Sequence, residues 1–209
     1  MVWKIWILVP VLYGIFCLWY FNWRAPLSAD EIERYMHAFN ASDDSRNTDA
    51  AVFRKFLEDD DGKEVVMANL VELHKGDVSH PVTGEKMSAR QLVGEYFGPF
   101  ARSLLLRAGH PVYQARTVGG YIDSWNADSN VSFGVSAMMR YRSRRDMVEL
   151  VIDPRFSDSH IYKLAAIERT ISFPTQVMMS TSLRPPHVVL LVLLLLASVA
   201  QNVTYFLRP

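Results

Sequence analysis

The chain has 209 residues, with 22 Lys+Arg balanced by 22 Asp+Glu. A net charge of zero provides no basic field to hold a polyphosphate, so a nucleic acid is excluded as the expected partner. The single cysteine, Cys17, excludes an intramolecular disulfide framework and a cysteine-built zinc cluster.

Apolar residues make up 50% of the chain and are unevenly spread. Ile5 to Phe21 carries no charge, and four of the five tryptophans (Trp3, Trp6, Trp19 and Trp23) lie at the edges of this run. Trp favours the headgroup level, where an apolar ring and a polar N–H are both satisfied. Residues 3–23 therefore predict a transmembrane helix; Pro10 and Gly14 are tolerable in such a helix. The alternative is a cleaved secretory signal, but NWRAPLSADE after the apolar core offers no small-x-small cleavage site. Residues 187–207 predict a second span. Val188 to Ala200 is unbroken apolar sequence, with Arg184 and Arg208 on either side. Two spans place the chain in a lipid bilayer, read as a bacterial inner membrane, with both termini on one side. Lys4 ahead of the first apolar run resembles a signal anchor, which puts the middle of the chain outside the cytoplasm.

All 22 acids, and all but three of the basic residues, lie between 25 and 184. This is the composition of a soluble domain long enough for a core. Residues 24–62 read as a helical linker region. Ser28 with Glu31 forms a capping box, and Ile32, Tyr35, Met36 and Phe39 follow at helical spacing. A polar loop spans 40–49 and a short helix about 49–58. The acids of Glu58 to Asp61 lack the spacing of a calcium loop and read as a turn.

Residues 63–184 carry the main pattern. A strand is expected at 64–73, a loop at 74–87 and a helix at 88–108 that Gly98-Pro99 interrupts and Gly109 caps. A second strand follows at 112–118, Gly119-Gly120 turns the chain into the segment 121–125, and a third strand is expected at 133–141. Helices at 143–151 and 158–170 lead to a last strand at 172–179. The order β-α-β-β-α-β predicts an α+β domain of ferredoxin-like arrangement, with an antiparallel four-stranded sheet and two helical connections on one face. In the strand 133–141, Phe133, Val135, Ala137, Met139 and Tyr141 point one way, and Gly134, Ser136, Met138 and Arg140 the other. Both sets include apolar groups, so neither face is built for water, which predicts a homodimer through the sheet.

Several stretches then combine. They are MANLVEL (67–73), LLLRAGHPVYQARTVGG (104–120), MMRYRSRRDMVELVIDPRF (138–156) and HIYKLAAIERTISFPTQ (160–176). Within them stand Asn69-Leu70, Gly109, Tyr141-Arg142-Ser143-Arg144, Asp153-Pro154-Arg155-Phe156 and Ala166-Ile167-Glu168, with Trp125 before the third strand. In this order the stretches resemble an uncharacterised small-protein family of the dimeric α+β barrel superfamily, related to antibiotic-biosynthesis monooxygenases. The resemblance covers about residues 64–178. It implies a dimer with a pocket between sheet and helices, and no particular reaction. The spans, the helices of 28–58 and a loop at Asn126 to Asn130 depart from the small soluble relatives.

The candidate catalytic residues are His160, Arg140 and Glu168. His160 opens a predicted helix, where an imidazole is kept neutral. Glu168 lies eight residues on, on roughly the same face of that helix, and a buried Arg140–Glu168 pair is either structural or a substrate clamp. The candidate ligand-binding residues are Asn69, Tyr96, Trp125, Arg140 and His160. Arg142, Arg144 and Arg145 read as solvated residues at a helix start, or as a contact for lipid headgroups. His74, His80 and His110 lack metal-site spacing, and neither a metal nor a cofactor is expected. The expected function is a membrane-anchored accessory or ligand-binding protein, with a membrane-protein partner. The alternative is a cofactor-independent monooxygenase- or isomerase-like enzyme on a small lipophilic substrate. The pocket discriminates between them: an accessory module fills it with side chains such as Met138, Phe156 and Tyr96.

Overall fold

A computed structural model of the chain describes residues 3–41, 48–126, 132–153 and 158–207. Pro154 to Phe156, Arg208, most of the 40–49 loop and most of the Asn126 to Asn130 loop lie outside them. The chain divides into two compact units, one made of Met1–Trp23 with Val177–Pro209 and the other of Arg24–Gln176.

The first unit holds two helices, α1 (Trp3–Tyr20) and α7 (Pro185–Phe206). At 1.5 Å per residue they are about 27 and 33 Å long, close to the ~30 Å of a bilayer's hydrocarbon core. Both are long and apolar enough to cross a membrane. Most of their leucines, among them Leu18 and Leu195, are exposed. The Trp6 indole donates to Gln201 Oε1 at 2.6 Å, which satisfies the most polar side chain of α7.

The second unit is α+β. Its elements are α2 (Ala29–Asn40), α3 (Ala50–Glu58), β1 (Val65–Leu73), β2 (Asp77–Ser79), β3 (Lys86–Ser88), α4 (Ala89–Leu106), β4 (His110–Arg116), β5 (Val135–Tyr141), α5 (Arg144–Val151), α6 (His160–Ala166) and β6 (Ile167–Thr175). Four strands form one sheet in the order β4-β5-β1-β6, and every pairing is antiparallel. β2 and β3 form a separate hairpin within the stretch expected to be a loop. His80 holds that hairpin: its Nδ1 accepts from Val82 N and Thr83 N, and its Nε2 lies 3.1 Å from Glu95.

Several expected elements differ. α4 runs unbroken through Gly98-Pro99. The left-handed residue that ends it is Ala108 (φ 57°), not Gly109. Gly109 is required for another reason: a Cβ there would stand 2.8 Å from the Arg140 carbonyl oxygen. The last helix stops at Ala166, because Ile167 to Thr175 pair with β1.

One core joins the sheet to the helices. Val65, Ala137, Met139 and Tyr141 face Phe100 and Leu104 of α4 and Met147, Val148 and Leu150 of α5. The region 24–62 contributes to the same core through Ile32, Tyr35, Met36 and Phe39 of α2 and Phe53 and Leu57 of α3. The expected capping box forms at Ser28–Glu31, and a second forms at Ser88–Gln91. The arginine cluster fastens these layers. Arg145 donates to both oxygens of Glu31, at 3.1 and 3.0 Å, and to Ala25 O. Arg142 grips Asp146, and Arg144 lies over the Phe56 ring while donating to the Phe56 carbonyl.

Arg145 and then the Ser28 backbone N–H hold the Glu31 carboxyl down at about 2. Its side chain is 17% exposed. The folded-state value lies below the unfolded one, so this pair stabilises fully above about pH 5 and is lost as the pH falls towards 2. Urea unfolding of the wild type is expected to lose about 2 kcal/mol more across that range than Glu31→Gln does. Equal slopes in the two proteins would refute the assignment.

Candidate functional site

The strands alternate, and one side of the sheet lines a cavity of about 1140 Å³ under the helices. Register places Met67, Asn69 and Val71 of β1, Val135, Ala137, Met139 and Tyr141 of β5, Gln114 and Arg116 of β4, and Thr170, Ser172 and Pro174 of β6 on this side. On α4, Arg90, Val93, Gly94 and Phe97 recur at i, i+3, i+4 and i+7 and make the roof. On α6, His160, Lys163 and the following Ile167 line the same space. Phe39 of α2 and Phe53 and Phe56 of α3 close it at the Tyr141 end.

The cavity is graded from end to end. At the β1 start, Val65 pairs with Tyr141 in the aromatic core. At the other end, Val71 pairs with Val135, which pairs with Arg116. Glu72, Arg90, Arg116, Thr117 and Lys163 also line the cavity, and Thr117 N–H donates to Gly134 O beside Glu72. The α4 start lies at this end too, because β1 finishes here and the short hairpin turns the chain back into Ala89. One end is thus apolar and the other carries charge.

The candidate residues distribute unevenly. His160 lines the cavity half-buried, and its ring stacks on Tyr96, centroids 5.8 Å apart. Lys163 Nζ lies 5.7 Å from the same Tyr96 ring. Asn69 lies on the floor, and the sheet uses its amide: Nδ2 donates to Met67 O at 2.9 Å, and Oδ1 accepts from Ser172. Trp125 is 81% exposed and does not line the cavity. Arg140 has the opposite strand parity. It is 2% exposed, donates to Glu64 at 2.9 Å and donates to Ala108 O at 2.7 Å. Glu168 is exposed on β6 and pairs with Arg169. Hence no Arg140–Glu168 pair forms, because the helix that would have carried Glu168 inward ends before it.

The polar and charged lining residues that the sequence did not single out include Glu72, Arg90, Arg116, Tyr141 and Lys163. Tyr141 is 8% exposed, and its hydroxyl has no hydrogen-bond partner among the described residues. Burial raises its pKa above the ordinary phenol value. The strand alternation already placed Tyr141 beside Ala137 and Met139. The i, i+3, i+4, i+7 series from Arg90 was equally readable.

No family model matches the chain, and no curated protein matches it. The fold is similar to two crystal structures of RPA0582, a protein of unknown function from Rhodopseudomonas palustris. One is of the methylated protein, with a TM-score of 0.53, 18% identity, and coverage of 65% of this chain and 96% of that one. The other has a TM-score of 0.52 at 18% identity, with coverage of 64% and 96%. At this identity the likeness concerns the fold alone.

Proposed function

We propose that this chain is a membrane-anchored ligand-binding protein, whose α+β unit is a dimeric, ferredoxin-like barrel that holds a small lipophilic molecule. The observation that carries the reading is the cavity. At about 1140 Å³ it is at the upper end of small-molecule sites, and apolar and aromatic side chains dominate its lining. A pure assembly module would have filled that volume. The strand order β4-β5-β1-β6, with helices between β1 and β4 and between β5 and β6, supports the ferredoxin-like assignment.

The opposite sheet face supports the dimer. Ile171 and Phe173, about half exposed, stand there with Ala68, Leu70, Tyr113, Ser136 and Met138. None of these is charged, which suits apolar contact with a second copy; Arg169, of the same parity on β6, lies toward the Leu73 end and pairs with Glu168. The helices α1 and α7 anchor the protein in the bilayer, with the α+β unit outside the cytoplasm. A lipophile delivered by the membrane fits this placement. An enzymatic role would rest on His160, since Arg140 and Glu168 lie away from the cavity.

Native mass spectrometry of the full chain, extracted in mild detergent, tests the reading. A dimer carrying one lipophile per subunit is expected. A dimer with an empty cavity and another membrane protein attached would replace it with the accessory role. A bound molecule converted to product on incubation would replace it with the enzyme.

A further inference from the structure

The charged end of the cavity and a hydroxyl facing it at the other end indicate what the occupant is made of. Arg90, Arg116 and Lys163 line one end, and among the described lining residues Glu72 is the one carboxylate there. Arg90 and Arg116 are exposed, and neither has an ion pair among the described residues. Uncommitted guanidinium forks suit an oxyanion such as a carboxylate or phosphate.

Inward from them the lining turns apolar, through Val71 and Ala137 to Phe53, Phe100 and Met147. Six steps of β5 separate Val135, opposite Arg116, from Tyr141, a span of about 20 Å at ~3.3 Å per residue. Tyr141 lines the cavity at that end, and its hydroxyl has no hydrogen-bond partner among the described residues. A ligand oxygen beside it would give it a hydrogen-bond partner.

We infer that the cavity takes a single-chain anionic amphiphile, with its carboxylate or phosphate head at Arg90, Arg116 and Lys163, its apolar body along the sheet, and an oxygen substituent on that body at Tyr141. The inference rests on the ligand-binding reading above.

The full chain in phosphatidylcholine nanodiscs is photolabelled with stearate bearing a terminal diazirine, and the labelled peptides are mapped. Labelling at the Phe53, Phe56 and Met147 end is expected. Stearate and lysophosphatidate should compete at least about tenfold better than stearyl alcohol, the scale of a charge-assisted contact. The stronger of the two acids identifies the head as free carboxylate or lipid phosphate. The double variant Arg90→Gln/Arg116→Gln should abolish the advantage over the alcohol; both side chains are exposed, so folding is preserved, and the wild-type competition order needs no variant at all. A hydroxystearate with its hydroxyl beyond mid-chain should outcompete stearate in the wild type and merely equal it in Tyr141→Phe. Cavity labelling with acid and alcohol competing equally would overturn the anionic head and leave ligand binding standing. Equal competition by stearate and hydroxystearate in the wild type would overturn the Tyr141 contact. No labelling in the cavity would overturn the ligand-binding reading as well.

Discussion

Arg140→Ala lowers the unfolding free energy by about 3 kcal/mol, the lower end of the range for breaking a buried ion pair. The lower end applies because Glu64, the carboxylate left behind, is partly exposed and can regain water. The Ala108 carbonyl also loses its guanidinium donor at the turn where α4 ends. That turn has no slack: Ala108 is already left-handed, and Gly109 lies against the Arg140 backbone. Lysine recovers little, because a single ammonium does not reproduce a fork that reaches Glu64 and Ala108 together. The urea midpoint of the full chain should fall with its slope unchanged. Ligand occupancy measured at a temperature where both proteins are folded should be unaltered, since Arg140 points away from the cavity. A loss below about 1 kcal/mol, the range of an exposed pair, would show that the site is not the buried tie described.

If the proposed sheet-to-sheet dimer forms, Ile171→Glu combined with Phe173→Glu is expected to convert it to a monomer. Both residues sit on the edge strand β6, opposite Leu70 and Ala68 of β1, on the sheet face away from the cavity. A two-fold contact doubles the damage, because each substitution is met by its symmetry copy or by apolar surface. Truncating central apolar anchors costs about 2 kcal/mol or more each, so the dissociation constant should rise by at least about 100-fold. Sedimentation in detergent of matched density reads this directly. The unfolding midpoint of the monomer should stay near that of the wild type, since both side chains are half exposed within one chain. A dimer of unchanged affinity would remove the sheet from the interface.

The arginine run at 142–145 shows how far local reading reaches. Three basic residues at a helix start read as solvated, yet Arg145 is buried against Glu31, a partner 114 positions earlier. Nothing local marks that pairing. The region 24–62 reads as a linker for the same reason. Its amphipathic spacing is plain, but the surface that receives Phe39 and Phe53 is assembled from β1, β5, α4 and α5. Among the site candidates, His160, Asn69 and Tyr96 meet at the cavity, while Arg140, Glu168 and Trp125 do not. Strand parity, visible in the sequence, already separated Arg140 from Tyr141. What failed was the helix end near 166, where helical and strand preferences were close and pairing with β1 decided.

From sequence alone came the two long apolar helices, the capped α2, the order of strands and helices between them, and the alternation of β5. These are properties of periodicity, capping and hydrophobic length, all short-range in the chain. Only the tertiary structure decided that β6 begins at Ile167, that Arg140 ties Glu64 to the α4 turn, and that Arg90, Arg116, Lys163 and Tyr141 share one cavity. Those outcomes depend on backbone pairing and side-chain packing between segments tens of residues apart, where the energy of a contact is set by what the rest of the chain brings to it.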